Sequence, residues 1–104
     1  MQAIHLIQKD DPEAPKPTPI AKGSNTYRSG NWVVAEDTAQ ALVGKMIYFH
    51  RKQATASFFG GRIIKSEKKT ELEGRVIFTF EADQDCKGVK AGTDGWSQEI
   101  KLQK

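Results

Sequence analysis

The stretch from Gly44 to Arg62, GKMIYFHRKQATASFFGGR, limits what this chain can fold into more than any other. Lys45 to His50 runs with hardly a polar break, which predicts a strand covered on both faces. A polar loop follows, carrying Arg51, Lys52, Gln53, Thr55 and Ser57. Phe58-Phe59, Gly60-Gly61 and Arg62-Ile63-Ile64 then open a second strand. A glycine pair there predicts either a bulge or a place where another backbone or a ligand comes close. Donors, aromatics and glycines together have two readings: the rim of a pocket, or a hairpin whose two Phe residues are core.

The remaining segments are short. Ala3 to Gln8 reads as a strand. All four prolines, Pro12, Pro15, Pro17 and Pro19, fall in KDDPEAPKPTPIAKGSN, so about residues 9–26 form an extended surface loop that neither helix nor sheet can absorb. Pro12 and Pro15 have PxxP spacing without the flanking pattern of a proline-rich ligand. Tyr27 to Asn31 reads as a turn and Trp32 to Ala35 as a buried strand. Glu36 to Val43 is the one convincing helix, with Asp37 as cap, Gln40 completing a capping box, Ala39, Leu42 and Val43 as its apolar face, and Gly44 as its stop. Ser66 to Gly74 is a charged turn. Arg75 to Glu81 alternates, with Val76, Phe78 and Phe80 inward. Ala82 to Asp94 is a loop, and Gly95 to Leu102 alternates again with Trp96, Ile100 and Leu102 inward. These elements predict one domain over residues 1–104, mainly β with one short helix (α+β). Several short half-buried strands point to a small mixed β-barrel of about six strands, since closure removes exposed edges.

The net charge of +3 is unevenly placed. Residues 1–26 and residues 63–104 each balance their lysines and arginines against equal numbers of acids. The whole excess lies in 27–62, where Arg28, Lys45, Arg51, Lys52 and Arg62 face only Glu36 and Asp37. That segment also holds Tyr27, Trp32, Tyr48, Phe49, Phe58 and Phe59, six of the nine aromatics. A basic, aromatic-rich segment in an otherwise neutral chain suits an anionic partner such as nucleic acid. Three excess charges are too few to hold duplex DNA tightly by counterion release alone.

Several chemistries are not expected. His5 and His50 are far apart in the sequence and lack a partner at ligand spacing, so no metal site is predicted, and no cofactor. His50 reads either as a satisfied structural histidine or as a base-contacting group beside the basic loop. Cys86 lies among acids in Asp83-Gln84-Asp85-Cys86, which opposes a thiolate nucleophile. Glu81, Asp83 and Asp85 lack calcium-loop spacing and read as a solvated acidic loop. Gly60-Gly61 has no Walker lysine and opens a strand, not a helix. No catalytic signature remains, so a non-enzyme is expected. There is no apolar run of membrane-spanning length and no secretory signal in MQAIHLIQKDDPEAP, and one cysteine suits a reducing cytoplasm.

The succession SGNWVVA, a short glycine-ended helix, GKMIYFH, a polar loop and FFGGRII resembles the PUA-like superfamily, especially its EVE and ASCH branches, over roughly Asn25 to Phe80. The Gly-x-Lys-x-x-Glu-x-Arg signature of the ASCH group is absent, and the proline-rich loop is not a family hallmark. The resemblance implies a small β-barrel that binds RNA or accommodates a modified, flipped-out base.

An extruded base needs an aromatic face and donors for its edge. Trp32, Phe58 or Phe59 supplies the face in this reading. Ser29, Asn31, His50 and Ser57 supply edge contacts, and Arg28, Arg51, Lys52 and Arg62 hold phosphates. The leading expectation is thus a non-enzymatic nucleic-acid-binding domain, of DNA or RNA, that reads a modified or flipped-out base. The alternative is a small protein-interaction module, an inhibitor or adaptor such as phages and mobile elements carry.

Overall fold

A computed structural model describes residues 2–8, 17–68, 74–97 and 99–103, with the backbone alone at Asn31. The elements are β1 (Ala3–Ile7), β2 (Thr18–Pro19), β3 (Thr26–Val33), α1 (Glu36–Ala41), β4 (Met46–His50), β5 (Phe59–Lys68), β6 (Arg75–Ala82), a 3-10 turn (Gln84–Cys86), β7 (Trp96–Ser97) and β8 (Ile100–Gln103). They form one mixed sheet in the order β2-β3-β6-β5-β4-β1-β8-β7, in which β1 and β4 are parallel.

The mainly β character and, among the described residues, the single short α-helix agree with the sequence. The barrel does not: the sheet has eight strands and is open. Its two outermost strands are two residues long, and one contains Pro19, whose nitrogen has no hydrogen to donate. Very short edge strands protect an open sheet as closure would.

One face of the sheet carries the core. Alternation sends Ile4 and Leu6 of β1, Ile47 and Phe49 of β4, Ile63 of β5, and Val76, Phe78 and Phe80 of β6 to that side, all nearly or fully buried. Ala39 of α1 and Leu42, which caps its C-terminus, join the same cluster. The helix begins after Ala35, which makes no side-chain cap, so the expected Asp37 capping box does not form; Glu36 and Asp37 still sit in the first turn, where they favour the helix dipole. The helix stops at Ala41, short of Val43, which is exposed, and Gly44 turns the chain away at a φ of +87°.

Three further expectations are corrected. Tyr27 to Asn31 is not a turn but part of β3, which carries an irregularity between Ser29 and Trp32 where it pairs with β6. β5 continues to Lys68, so the charged turn starts later than Ser66, and its residues 69–73 lie outside the described residues, as do Pro12 and Pro15. Gly95 to Leu102 is two strands, not one. β7 and β8 pair antiparallel with Trp96 opposite Lys101, which puts Trp96 on the face opposite Ile100.

The glycine pair resolves in favour of close approach. A methyl on Gly61 would lie 2.7 Å from the Glu81 carbonyl carbon and nearer still to its oxygen, and one on Gly60 would meet the Ile47 carbonyl oxygen and, at 2.9 Å, the Cys86 Cβ. The β5 bulge lies elsewhere, between Ile63 and Lys65.

Candidate nucleic-acid interface

Where β4 ends, the chain enters the loop 51–58 and meets a second loop that follows the 3-10 turn. Ser57 joins them. Its N–H donates to the Val89 carbonyl at 2.8 Å, and its carbonyl accepts from Gly88 N–H at 2.7 Å. Its hydroxyl donates to the Cys86 carbonyl at 2.5 Å and accepts from Val89 N–H at 2.9 Å. Four bonds on one buried serine hold the backbone of Cys86, Gly88 and Val89 against the loop that also carries Arg51 and Lys52. The result is a basic end of the sheet that linear charge counting misses, because residues 63–104 are neutral as a whole. Asp83 and Asp85 lie on the approach to Lys87, so the local excess is modest.

The loop itself is ordered by its own polar groups. Lys52 N–H donates to Thr55 Oγ1 at 3.1 Å, and that hydroxyl donates to the Lys52 carbonyl at 3.0 Å. Arg51 donates to the Gln8 carbonyl at 3.2 Å and lays its guanidinium over the Phe58 ring, 4.1 Å from the centroid. This cation–π contact turns Arg51 into a flat, charged plate on a half-buried aromatic. Arg51 and Lys52 are exposed.

The other predicted site residues are dispersed. Trp32 is buried, and its indole N–H donates to the buried Ser29 hydroxyl at 2.9 Å; this pair closes the β3 irregularity inside the core and presents no stacking face to a ligand. Ser57 spends its hydroxyl on backbone. Phe59 is half-buried, edge-on to Tyr27 at 5.0 Å and to Phe80 at 5.7 Å. Arg62 is exposed, but its β4 partner is Met46, four residues before His50, about 13 Å of strand from the loop. Arg28 pairs with Glu67 at 3.8 Å, and Lys65 meets the same carboxylate at 3.4 Å. Those cations belong to a different part of the sheet. Asn31 lies in β3, and its side chain is outside what is described.

His50 is buried, and His5 lies against it despite their separation in sequence. Parallel pairing sets His5 opposite Tyr48 and Ile7 opposite His50, which brings both imidazoles to the face away from the apolar core. Gln103 Oε1 lies 2.7 Å from His5 Nε2, His5 Nδ1 lies 2.9 Å from His50 Nε2, and His50 Nδ1 lies 2.8 Å from the Thr55 carbonyl. Tyr48 stacks on His5 at 4.8 Å, and Trp96 is edge-on to His50 at 5.7 Å. The Thr55 carbonyl can only accept, so His50 Nδ1 carries the proton. With both rings neutral, His5 Nδ1–H donates to His50 Nε2, and a half-turn of the Gln103 amide supplies the donor that His5 Nε2 then needs. With one added proton, His5 Nε2–H donates to Gln103 Oε1 instead.

Burial is the largest influence on both rings and lowers both pKa values. The Gln103 bond opposes it at His5 and the Thr55 bond at His50, while Lys101 adds to the lowering at both. The folded protein therefore refuses protons that the unfolded chain accepts. Stability is full above the ordinary value of 6.5 and falls as pH drops below it. We expect the imidazole C–H resonances of both histidines to titrate below pH 6.5, with the urea midpoint declining from about pH 7 to about pH 5. A histidine titrating above 6.5, or a midpoint that rises on acidification, contradicts this.

Cys86 is buried, and its thiol is pushed up to about 11, first by burial and then by Asp83 and Asp85. Among the described residues no group of three or more His, Cys, Asp and Glu side chains stands close enough to hold a metal ion, and no helix is long and apolar enough to cross a membrane. No family model, curated protein or solved structure matches this chain.

Proposed function

We propose that this chain is a non-enzymatic nucleic-acid-binding domain that holds a single strand at the basic end formed by the 51–58 and 87–90 loops. The observation that carries the reading is the Ser57 clamp, which joins the loop bearing Lys87 and Lys90 to the loop bearing Lys52 and the Arg51–Phe58 pair. A backbone phosphate needs cations with freedom to adjust, and a base needs a flat surface. Exposed Lys52 provides the first, and Arg51 stacked on Phe58 provides the second. A single strand suits this modest charge better than a duplex, because stacking adds to affinity without further counterion release. The resemblance of the sequence to the PUA-like superfamily brings an extruded base into the reading, although the sheet is open where that resemblance implies a barrel.

The protein-interaction reading has less behind it. Phe58 and Phe59, its expected anchors, pack partly against the core, and the exposed apolar side chains Ile20, Val33, Val43, Ile64 and Leu102 are spread over separate elements.

The test is fluorescence anisotropy with labelled single strands of about twelve nucleotides and the matching duplex. Four cations at the strand, Arg51, Lys52, Lys87 and Lys90, predict a single-strand slope of log affinity against log salt of about −3, a loss of about fifty-fold between about 50 and about 200 mM. Affinity insensitive to salt, or no binding at the lowest salt, overturns the proposal.

A further inference from the structure

Next to the basic end lies a cavity of about 280 Å³ lined by Asn25, Phe59, Ala82, Asp83, Gln84 and Lys87. It shares Lys87 with the basic end, and its aromatic wall, Phe59, directly follows Phe58. Its volume is near the lower end for small-ligand sites, about 300–1,000 Å³, and matches a single base better than a larger group. Tyr27, Phe49 and Phe80 fix the Phe59 ring from three sides, at 5.0, 6.1 and 5.7 Å between centroids.

The polar lining has a definite balance of donors and acceptors. Asn25 donates one amide hydrogen to the Ala82 carbonyl at 3.0 Å, which leaves Oδ1 and the second amide hydrogen to offer. Asp83 accepts from Asp85 N–H at 2.9 Å through Oδ1, which leaves its second oxygen as an acceptor. Both fixed groups therefore offer an acceptor, and the Asp83 carboxylate, which is charged, can only accept. Guanine alone among the common bases presents adjacent donors, N1–H and the 2-amino group, on one edge. Adenine and cytosine set a ring-nitrogen lone pair beside their single amino group, and thymine and uracil flank one N–H with carbonyls, so each turns a lone pair toward a carboxylate. The Lys87 ammonium complements the guanine O6 and N7 acceptors.

We propose that this cavity receives a guanine base, stacked on Phe59 with its Watson–Crick edge toward Asp83 and Asn25. The assignment rests on the nucleic-acid reading and names the base that reading leaves open. The experiment compares oligothymidylates carrying one central guanine, adenine or cytosine, in the native chain and in Asp83→Asn, which can still accept from Asp85 N–H. The native chain prefers guanine by about tenfold, and Asp83→Asn removes the preference while keeping affinity for plain oligothymidylate. Equal affinity for all three overturns the guanine site and leaves strand binding intact. Should no oligonucleotide bind, the strand reading fails. Guanosine and adenosine monophosphates then judge the cavity by amide NMR: shifts at Phe59 and Gln84 with guanosine monophosphate alone sustain it, and their absence overturns it.

Discussion

Gly61→Ala is expected to destabilise the fold by more than about 4 kcal/mol, or to prevent folding, although it adds one methyl group. β5 is central, between β4 and β6, and at Gly61 it pairs with Ile47 on one side and Ala82 on the other. The added carbon would fall inside contact distance of the Glu81 carbonyl and 3.0 Å from the Ala82 Cα. These are backbone atoms in paired strands, so relief requires breaking the ladder between β5 and β6 rather than turning a side chain. Gly44→Ala is the comparison. Gly44 has a φ of +87° with nothing within 4 Å of the added position, so its cost is confined to backbone strain of about 1–2 kcal/mol. Urea unfolding of the two variants separates collision from strain. Equal losses would contradict the close approach.

The triple reversal Arg51→Glu, Lys52→Glu and Lys87→Glu is expected to abolish single-strand affinity with little loss of stability. All three residues are exposed, so surface substitution leaves the core untouched. Arg51 also covers Phe58 and donates to Gln8, and losing those contacts is expected to cost about 1 kcal/mol. Removing three cations from the strand's path and adding three repulsive charges is expected to weaken binding more than a hundredfold and flatten the salt slope to between about −1 and about 0. The matched control is Arg28→Glu with Arg62→Glu. It reverses two cations from the same sequence segment that lie elsewhere on the sheet, and it is expected to reduce affinity less than about fivefold through net charge alone. Equal loss in both variants would mean that binding follows total charge rather than the basic end.

Local pattern carried much of the fold. The alternation of Val76, Phe78 and Phe80 named three core residues, and the unbroken run MIYFH named a strand covered on both sides. What the sequence hid was pairing. Whether Trp96 shares a face with Ile100 depends on a hairpin between them, since a turn resets the alternation. His5 and His50 meet only because β1 lies parallel to β4, a contact across 45 residues of sequence. Closure was overestimated because the hydrophobic alternation of a barrel strand and of an open-sheet strand is the same; the difference lies in the outer strands, too short to leave a signal. Within the site, Arg51, Lys52 and Phe58 were visible as a polar, aromatic loop. The loop bearing Lys87 and Lys90 was not, since it is joined to them through bonds of Cys86, Gly88 and Val89 to Ser57, a residue whose hydroxyl reads in sequence as a ligand contact. Trp32 and Ser29 show the converse: their types suit a binding site, but each satisfies the other inside the core.

The most direct test of the basic end is a backbone-amide NMR titration of the chain with oligothymidylate. Shifts concentrated in residues 51–58 and 87–90, with Arg28, Arg62 and Lys65 unmoved, are the predicted result. Shifts centred on Arg28, Arg62 and Lys65, or none at saturating low-salt concentrations, would contradict the account.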